Sequence, residues 1–200
     1  MASQKCVVVG IDEAGRGPLA GPVAVAALAF LTPAARMLMK ASLTKDSKQL
    51  SEKAREAWYE KLVEAKRAGA IAYAVSFVSA VRIDRVGIVR AIAAAMASSL
   101  RRLPVSPLQA QVLLDGALSA PACYKYQKTI IRGDETIPAI ALASIVAKVS
   151  RDRLMYRYAK KYPLYGFDEH KGYGTAKHYA ALKKYGLSPL HRKSFLKSFR

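Results

Sequence analysis

The run Lys5 to Ile11, KCVVVGI, is rich in β-branched residues and shows no polar alternation before it meets two adjacent acids, Asp12 and Glu13. A strand of that composition is buried on both faces, so it requires a sheet with a layer packed on each side. The glycine-rich stretch AGRGPLAGP then turns the chain, and Val23 to Leu31 supply a second apolar strand, close enough in sequence to pair with the first as an antiparallel neighbour. Between Ala70 and Ser79, Ile71, Tyr73, Val75 and Phe77 recur with a period of two, which predicts a third strand.

Helical signals alternate with further strands. Ser51 is placed to cap a helix running to Ala68, with Ala54, Ala57, Trp58, Leu62 and Ala65 on one face. Ile88, Ile92, Met96 and Leu100, spaced by four, predict a helix from Ile83 to Leu100. Gln111 to Leu114 and Tyr124 to Ile131 read as strands, and Pro138 opens a long helix that runs to Lys161, ahead of Pro163. The expected architecture is α/β: a mixed sheet flanked by helices, followed by short basic helices and loops over the last forty residues or so. With 200 residues, 52% of them hydrophobic, the chain is expected to form one domain across 1–200, with about 151–200 as a helical C-terminal portion.

No stretch approaches the roughly 18 consecutive apolar residues of a membrane span, and the opening residues lack a secretory pattern, so a cytoplasmic protein is expected. Cys6 and Cys123 are too few for a disulfide framework and read as small buried hydrophobes in a reducing compartment.

Charge narrows the function. Lys and Arg number 33 against 14 Asp and Glu, a net +19, which points to a polyanionic partner. From Arg151 onward 13 basic residues face 3 acidic ones, and 10 of the 17 aromatics lie there, the mixture of a surface that neutralises phosphates and stacks on sugars or bases. Self-repulsion at this charge favours a monomer. His170, His178 and His191 fall in this basic tail without cysteine partners and read as exposed or phosphate-contacting, not as zinc ligands.

Against that basic background stand Asp12, Asp115 and Asp134, each following an apolar strand-like run, with Glu13 beside the first. Carboxylates gathered at a sheet edge repel one another and are costly to desolvate unless a cation compensates. Hard divalent cations such as Mg²⁺ or Mn²⁺ suit oxygen ligands and keep positions open for a substrate phosphate. Metal-assisted phosphodiester hydrolysis is therefore the leading reaction class. Spacing alone leaves the alternative that these acids cap helices or pair with surplus Lys and Arg. AGRGPLAG has two readings: a plain turn, or a loop in which Gly15 and Gly17 let bare backbone approach a sugar or phosphate, with Arg16 between them.

Longer strings carry a resemblance. GIDEAGRGPLAGPVAVAA at Gly10 to Ala27, KDSKQLS at Lys45 to Ser51, LLDG at Leu113 to Gly116, RGDETIPAIALASIVAKVSRDRLM at Arg132 to Met155, YGFDEHKGYGT at Tyr165 to Thr175 and SPLHRKSF at Ser188 to Phe195 together resemble bacterial ribonuclease HII. The blocks span nearly the whole chain in that family's order. The resemblance implies a ribonuclease H-like fold with a five-stranded mixed sheet, and hydrolysis of RNA within RNA–DNA hybrids or of ribonucleotides embedded in duplex DNA. It implies that Asp12, Glu13, Asp115 and Asp134 are the four catalytic acids binding Mn²⁺ or Mg²⁺, with Asp12 and Asp115 the principal ligands. By the same resemblance Gly15, Arg16 and Gly17 read the 2′-OH at the junction with DNA, and Tyr173 packs on the deoxyribose to its 3′ side. Cleavage would fall 5′ of the ribonucleotide, leaving a 3′-OH and a 5′-phosphate.

Ser47, Lys48, Ser144, Lys148 and Arg192 are further candidates for phosphate contact, while Asp152, among Lys148, Arg151 and Arg153, reads as an ion-pair partner. Arg132 stands where the family commonly has lysine, and Leu142 interrupts an alanine-rich segment. No clear sliding-clamp peptide is legible in the ending SFLKSFR. Two competing readings are a non-catalytic nucleic-acid binder, which leaves the strand-end acids without purpose, and ribonuclease HIII, which is ranked low because no extra N-terminal substrate-binding domain is expected here.

Overall fold

The computed structural model describes residues 6–33, 35, 50–116 and 119–197. Five strands, β1 (Val7–Ala14), β2 (Val23–Phe30), β3 (Ile71–Val78), β4 (Ala110–Asp115) and β5 (Tyr126–Ile130), form one sheet in the order β3-β2-β1-β4-β5. The pairs β1–β2 and β2–β3 are antiparallel, whereas β1–β4 and β4–β5 are parallel, so the sheet is mixed as the sequence predicts. β1 extends beyond its expected end: Asp12 and Glu13 lie inside the strand, in register with Ala26 and Val25, and do not merely follow it.

β2 is buried along its whole length because its alternate residues feed two different cores. Val23, Val25, Ala27 and Ala29 join Val9, Ile11, Val112 and Leu114 on one face, against Ile92, Met96 and Leu100 of α3 (Ile88–Arg101). Ala26, Leu28 and Phe30 pack on the other face with Leu62 of α1 (Glu52–Arg67) and with Leu142 and Val146 of α5 (Pro138–Lys161). Burying a single Leu or Ile side chain in such a layer contributes roughly 1.5–3 kcal/mol, which is why the unalternating apolar run dictates a three-layer fold.

Ser51 caps α1 by accepting the amide of Ala54, a contact of about 1 kcal/mol. The helix expected over Ile83 to Leu100 is in fact two, α2 (Ala80–Val86) and α3, separated by Gly87 at φ 80°, a conformation only glycine adopts cheaply. α5 has the predicted bounds, with Pro138 in its first turn. Its N-terminal end presses so closely on β1 that a Cβ at Gly10 would lie 2.0 Å from the Ala139 carbonyl oxygen.

Beyond α5, a 3₁₀ turn (Pro163–Tyr165), α6 (Phe167–His170), α7 (Ala176–Tyr185) and a second 3₁₀ turn (Lys193–Phe195) surround a third core built on Leu19, Ala20, Met155, Phe167 and Leu182. The three histidines belong to this core and correct the expectation of exposed side chains. His170 and His178 stack at 4.3 Å between ring centres, and Nε2 of His178 lies 3.0 Å from Nε2 of His191. Cys6 and Cys123 also depart from expectation: both are exposed, one just before β1 and one in the turn before β5. Among the described residues no helix is long and apolar enough to cross a membrane.

Candidate active site

Sheet register assembles the acids. Parallel pairing sets Ile11 beside Leu114, so the next residues, Asp12 and Asp115, stand side by side at the carboxyl ends of β1 and β4. Ile11 and Leu114 face the α3 core, and strand alternation turns both aspartates to the opposite face, towards α5. From α5, Ser144 lines the same cleft beside Asp12 and acts to lower its carboxyl. Asp115 Oδ1 accepts the Gly133 amide at 2.8 Å, from the short helical turn α4 (Gly133–Thr136) that follows β5.

Asp12, Asp115 and Ser144 line a cleft of about 390 Å³ that also includes Glu13, Gly15, Arg16, Gly17, Lys148 and Tyr173. Arg16 Nη1 lies 3.4 Å from Glu13 Oε1. Lys148 Nζ is 2.7 Å from Asp152 Oδ2, one helical turn along α5, so Asp152 is the ion-pair partner that the sequence suggested. Tyr173 is 44% exposed at the rim, with the Arg151 guanidinium 5.9 Å from its ring centre.

Burial, and then the negative charges of Glu13 and Asp115, push the Asp12 carboxyl up from 3.8 to about 8, against the opposing effect of Ser144. Burial likewise raises Glu13, with Arg16 acting to lower it. Carboxylates held this way are short of positive charge. All the candidate donors are oxygens, the chemistry that suits Mg²⁺ or Mn²⁺ and not zinc or copper. Among the described residues, no three acidic, histidine or cysteine side chains already converge on one point as a closed cage. A partial shell of one or two carboxylates, completed by water and a substrate phosphate, is how Mg²⁺ is commonly held, so the residues fit such an ion.

The remaining sequence candidates divide. Asp134 sits on α4, 1% exposed, next to the glycine that holds Asp115, but it does not line the cleft wall. Arg192 is fully buried beneath the Gly15–Gly17 loop and donates to backbone carbonyls there, which places it away from a phosphate's reach and corrects the expected contact. Ser47 and Lys48 lie outside the described residues. The sequence reading missed Arg55 of α1, which lines the cleft and bonds to the Leu50 carbonyl. In sequence it is one charge among several on an amphipathic helix, and nothing local distinguishes it.

A mixed sheet in this order, layered by helices and carrying paired aspartates at the ends of adjacent parallel strands, defines a ribonuclease H-like nuclease. The model of the family described as Ribonuclease HII matches residues 9–198, and the ribonuclease HII of Coxiella burnetii (strain Dugway 5J108-111) is 47% identical over 94% of this chain and 88% of its own. Among solved structures, the ribonuclease H2 of Pyrococcus horikoshii OT3 superposes with a TM-score of 0.72 at 26% identity, covering 97% of this chain and 99% of that one. The RNase HII of Archaeoglobus fulgidus, solved in complex with PCNA, gives a TM-score of 0.72 at 25% identity over 93% of each chain. The chain belongs to the ribonuclease HII family and is a ribonuclease H enzyme.

Proposed function

We propose that this enzyme hydrolyses the RNA strand of RNA–DNA hybrids and cuts on the 5′ side of single ribonucleotides embedded in duplex DNA. The observation that carries the reading is the side-by-side placement of Asp12 and Asp115 in a cleft whose wall is the Gly15–Gly17 loop and whose rim is Tyr173. Water attacks the phosphorus of the bond that joins the upstream nucleotide to the ribonucleotide. The P–O3′ bond breaks, leaving a 3′-OH upstream and a 5′-phosphate on the ribonucleotide.

When bound, two divalent ions, Mg²⁺ or Mn²⁺, would activate the water and stabilise the departing oxygen. Asp12 and Asp115 would hold them, with Glu13 and Asp134 completing the set or orienting water. The Glu13 amide holds the Asp12 carboxyl and the Gly133 amide holds that of Asp115, so both are oriented before binding. Gly15, Arg16 and Gly17 offer backbone groups to the ribose 2′-OH, the one group that separates RNA from DNA. Tyr173 offers a flat apolar ring to the neighbouring deoxyribose, and Lys148 and Ser144 face the phosphates.

The test is Asp12→Asn and Asp115→Asn on a labelled duplex containing one ribonucleotide. Both variants are expected to lose cleavage while still binding the duplex. Normal turnover in both contradicts the assignment of the acids.

A further inference from the structure

Among the described residues, Arg192 and Arg151 are the two largest fully buried side chains, and neither forms an ion pair there. Burying a guanidinium without a carboxylate is expensive, and hydrophobic residues would fill the same space at lower cost. What both cations touch instead is backbone. Arg192 donates through Nε to the Gly21 carbonyl at 3.0 Å, through Nη1 to that of Arg16 at 2.9 Å and through Nη2 to that of Gly15 at 2.6 Å. Arg151 donates through Nε to Pro22 at 2.9 Å and through Nη2 to Ala20 at 3.3 Å and Lys171 at 2.9 Å.

The Arg192 contacts decide which way two peptide groups face. In a planar trans peptide the carbonyl and the following N–H point in opposite directions. Drawing the Gly15 and Arg16 oxygens onto a buried guanidinium therefore turns the N–H groups of Arg16 and Gly17 the other way. Those two residues are exposed and line the cleft, whereas Arg192 does not. Among the described residues neither N–H has a hydrogen-bond partner, so both are donors held ready for an incoming oxygen. A fork of fixed geometry can hold three carbonyls at once, which a lysine ammonium on a flexible stem does not do equally.

Arg151 ties this loop to the turn that carries Tyr173. Its contacts bridge Ala20 and Pro22 on one side and Lys171 on the other, and the Tyr173 ring lies over it. Gly15, at φ 85°, leaves room for the guanidinium, since a Cβ there would fall 1.9 Å from Arg151 Nε.

We propose that Arg192 is a positioning residue for ribonucleotide selection: it aims the Arg16 and Gly17 amides at the 2′-hydroxyl, while Arg151 fixes the distance from that donor pair to Tyr173. This inference rests on the proposed ribonucleotide specificity. It assigns the discrimination to two buried side chains that never contact the substrate.

The experiment measures affinity, with Ca²⁺ as a non-catalytic ion, for a duplex containing one ribonucleotide and for its all-DNA twin, with wild-type protein, Arg192→Lys, Arg192→Ala and Arg151→Lys. Wild type is expected to favour the ribonucleotide duplex. Both Arg192 variants should bind the two duplexes alike, near the wild-type affinity for all-DNA, and in Mg²⁺ lose on the order of 10²-fold in cleavage of the ribonucleotide duplex. Arg151→Lys should lose cleavage and keep most of the binding preference. Millimolar, sub-denaturing guanidinium should restore preference and cleavage to Arg192→Ala, an effect that a merely destabilised protein would not show. Wild-type preference retained by folded Arg192 variants, or lost without guanidinium rescue, overturns the inference and leaves the ribonucleotide reading standing. No preference in the wild type itself overturns both.

Discussion

Asp12 and Asp115 lie 103 positions apart in sequence and are neighbours only because β1 and β4 run parallel in a register that pairs Ile11 with Leu114. Their proximity makes the metal-free site electrostatically unfavourable. Burial and the charges of Glu13 and Asp115 raise Asp12 to about 8, so the folded chain keeps a proton that the unfolded chain releases near 3.8. Stability of the metal-free protein should therefore fall as pH rises from about 4 to about 8. Added Mg²⁺ or Mn²⁺, which binds the ionised form, should recover it at the upper end. Thermal melts of wild type and Asp12→Asn across that window check this: the Asn variant should show a flatter profile and a higher melting temperature near pH 8 without metal. Parallel profiles would contradict it.

Gly10→Ala should damage the site from beneath. The added methyl would strike the backbone of Ala139, which cannot rotate away, so α5 must move off β1. Overpacking of this kind costs about 1–3 kcal/mol or more in a urea melt. Because α5 carries Ser144 and Lys148 into the cleft, cleavage should fall further than the loss of folded protein accounts for. Gly69→Ala, with nothing within 4 Å of its Cβ but a φ of 71°, is the comparison for backbone strain alone, and it should leave the specific activity of the folded fraction unchanged.

Much of this layout is legible in the sequence, and the parts that are not share a cause. The unalternating KCVVVGI run dictates a strand buried on both faces, and Pro138 with Pro163 brackets α5, because these are local signals. The spacing of four from Ile88 onward carries no mark of the break at Gly87, so two helices read as one. The histidines read as part of a charged tail because the Tyr165 and Phe167 rings that bury His178 and His191 reach them only once separate segments fold together. Arg192 read as a phosphate contact because its carbonyl partners lie more than 170 residues away, a distance no pattern of spacing reports.

The histidine stack supplies a separate pH test. His178 Nδ1 donates to the Tyr173 carbonyl at 2.9 Å, which leaves its Nε2 to accept from His191 Nε2, whose own Nδ1 accepts the Ser188 amide at 2.8 Å. Every ring nitrogen is used by the neutral forms. Burial first, and then the neighbouring imidazoles, lower His191 to about 4. Protonation below the ordinary value of 6.5 favours the unfolded chain, so this contribution is present above 6.5 and is lost as pH falls towards 4. In an NMR titration the His191 ring should stay neutral through the ordinary imidazole range, and a midpoint near 6.5 would contradict the arrangement.

Tyr173 stands at the rim, half exposed, so its side chain contributes little to the core. Tyr173→Ala should shift stability by less than about 1 kcal/mol. Cleavage at an embedded ribonucleotide should fall by roughly tenfold, equivalent to about 1.4 kcal/mol of lost apolar packing on the sugar. Tyr173→Phe should retain most activity. A melting temperature that drops in step with activity would mean a structural role instead.

The most direct measurement is cleavage of a labelled DNA duplex carrying a single ribonucleotide, with Mg²⁺, with Mn²⁺ and with EDTA, beside an all-DNA control. The paired aspartates and the Gly15–Gly17 loop predict a metal-dependent cut only on the 5′ side of the ribonucleotide, abolished by EDTA and absent from the control. Binding without cleavage under every condition, or cleavage of the all-DNA duplex, would contradict them.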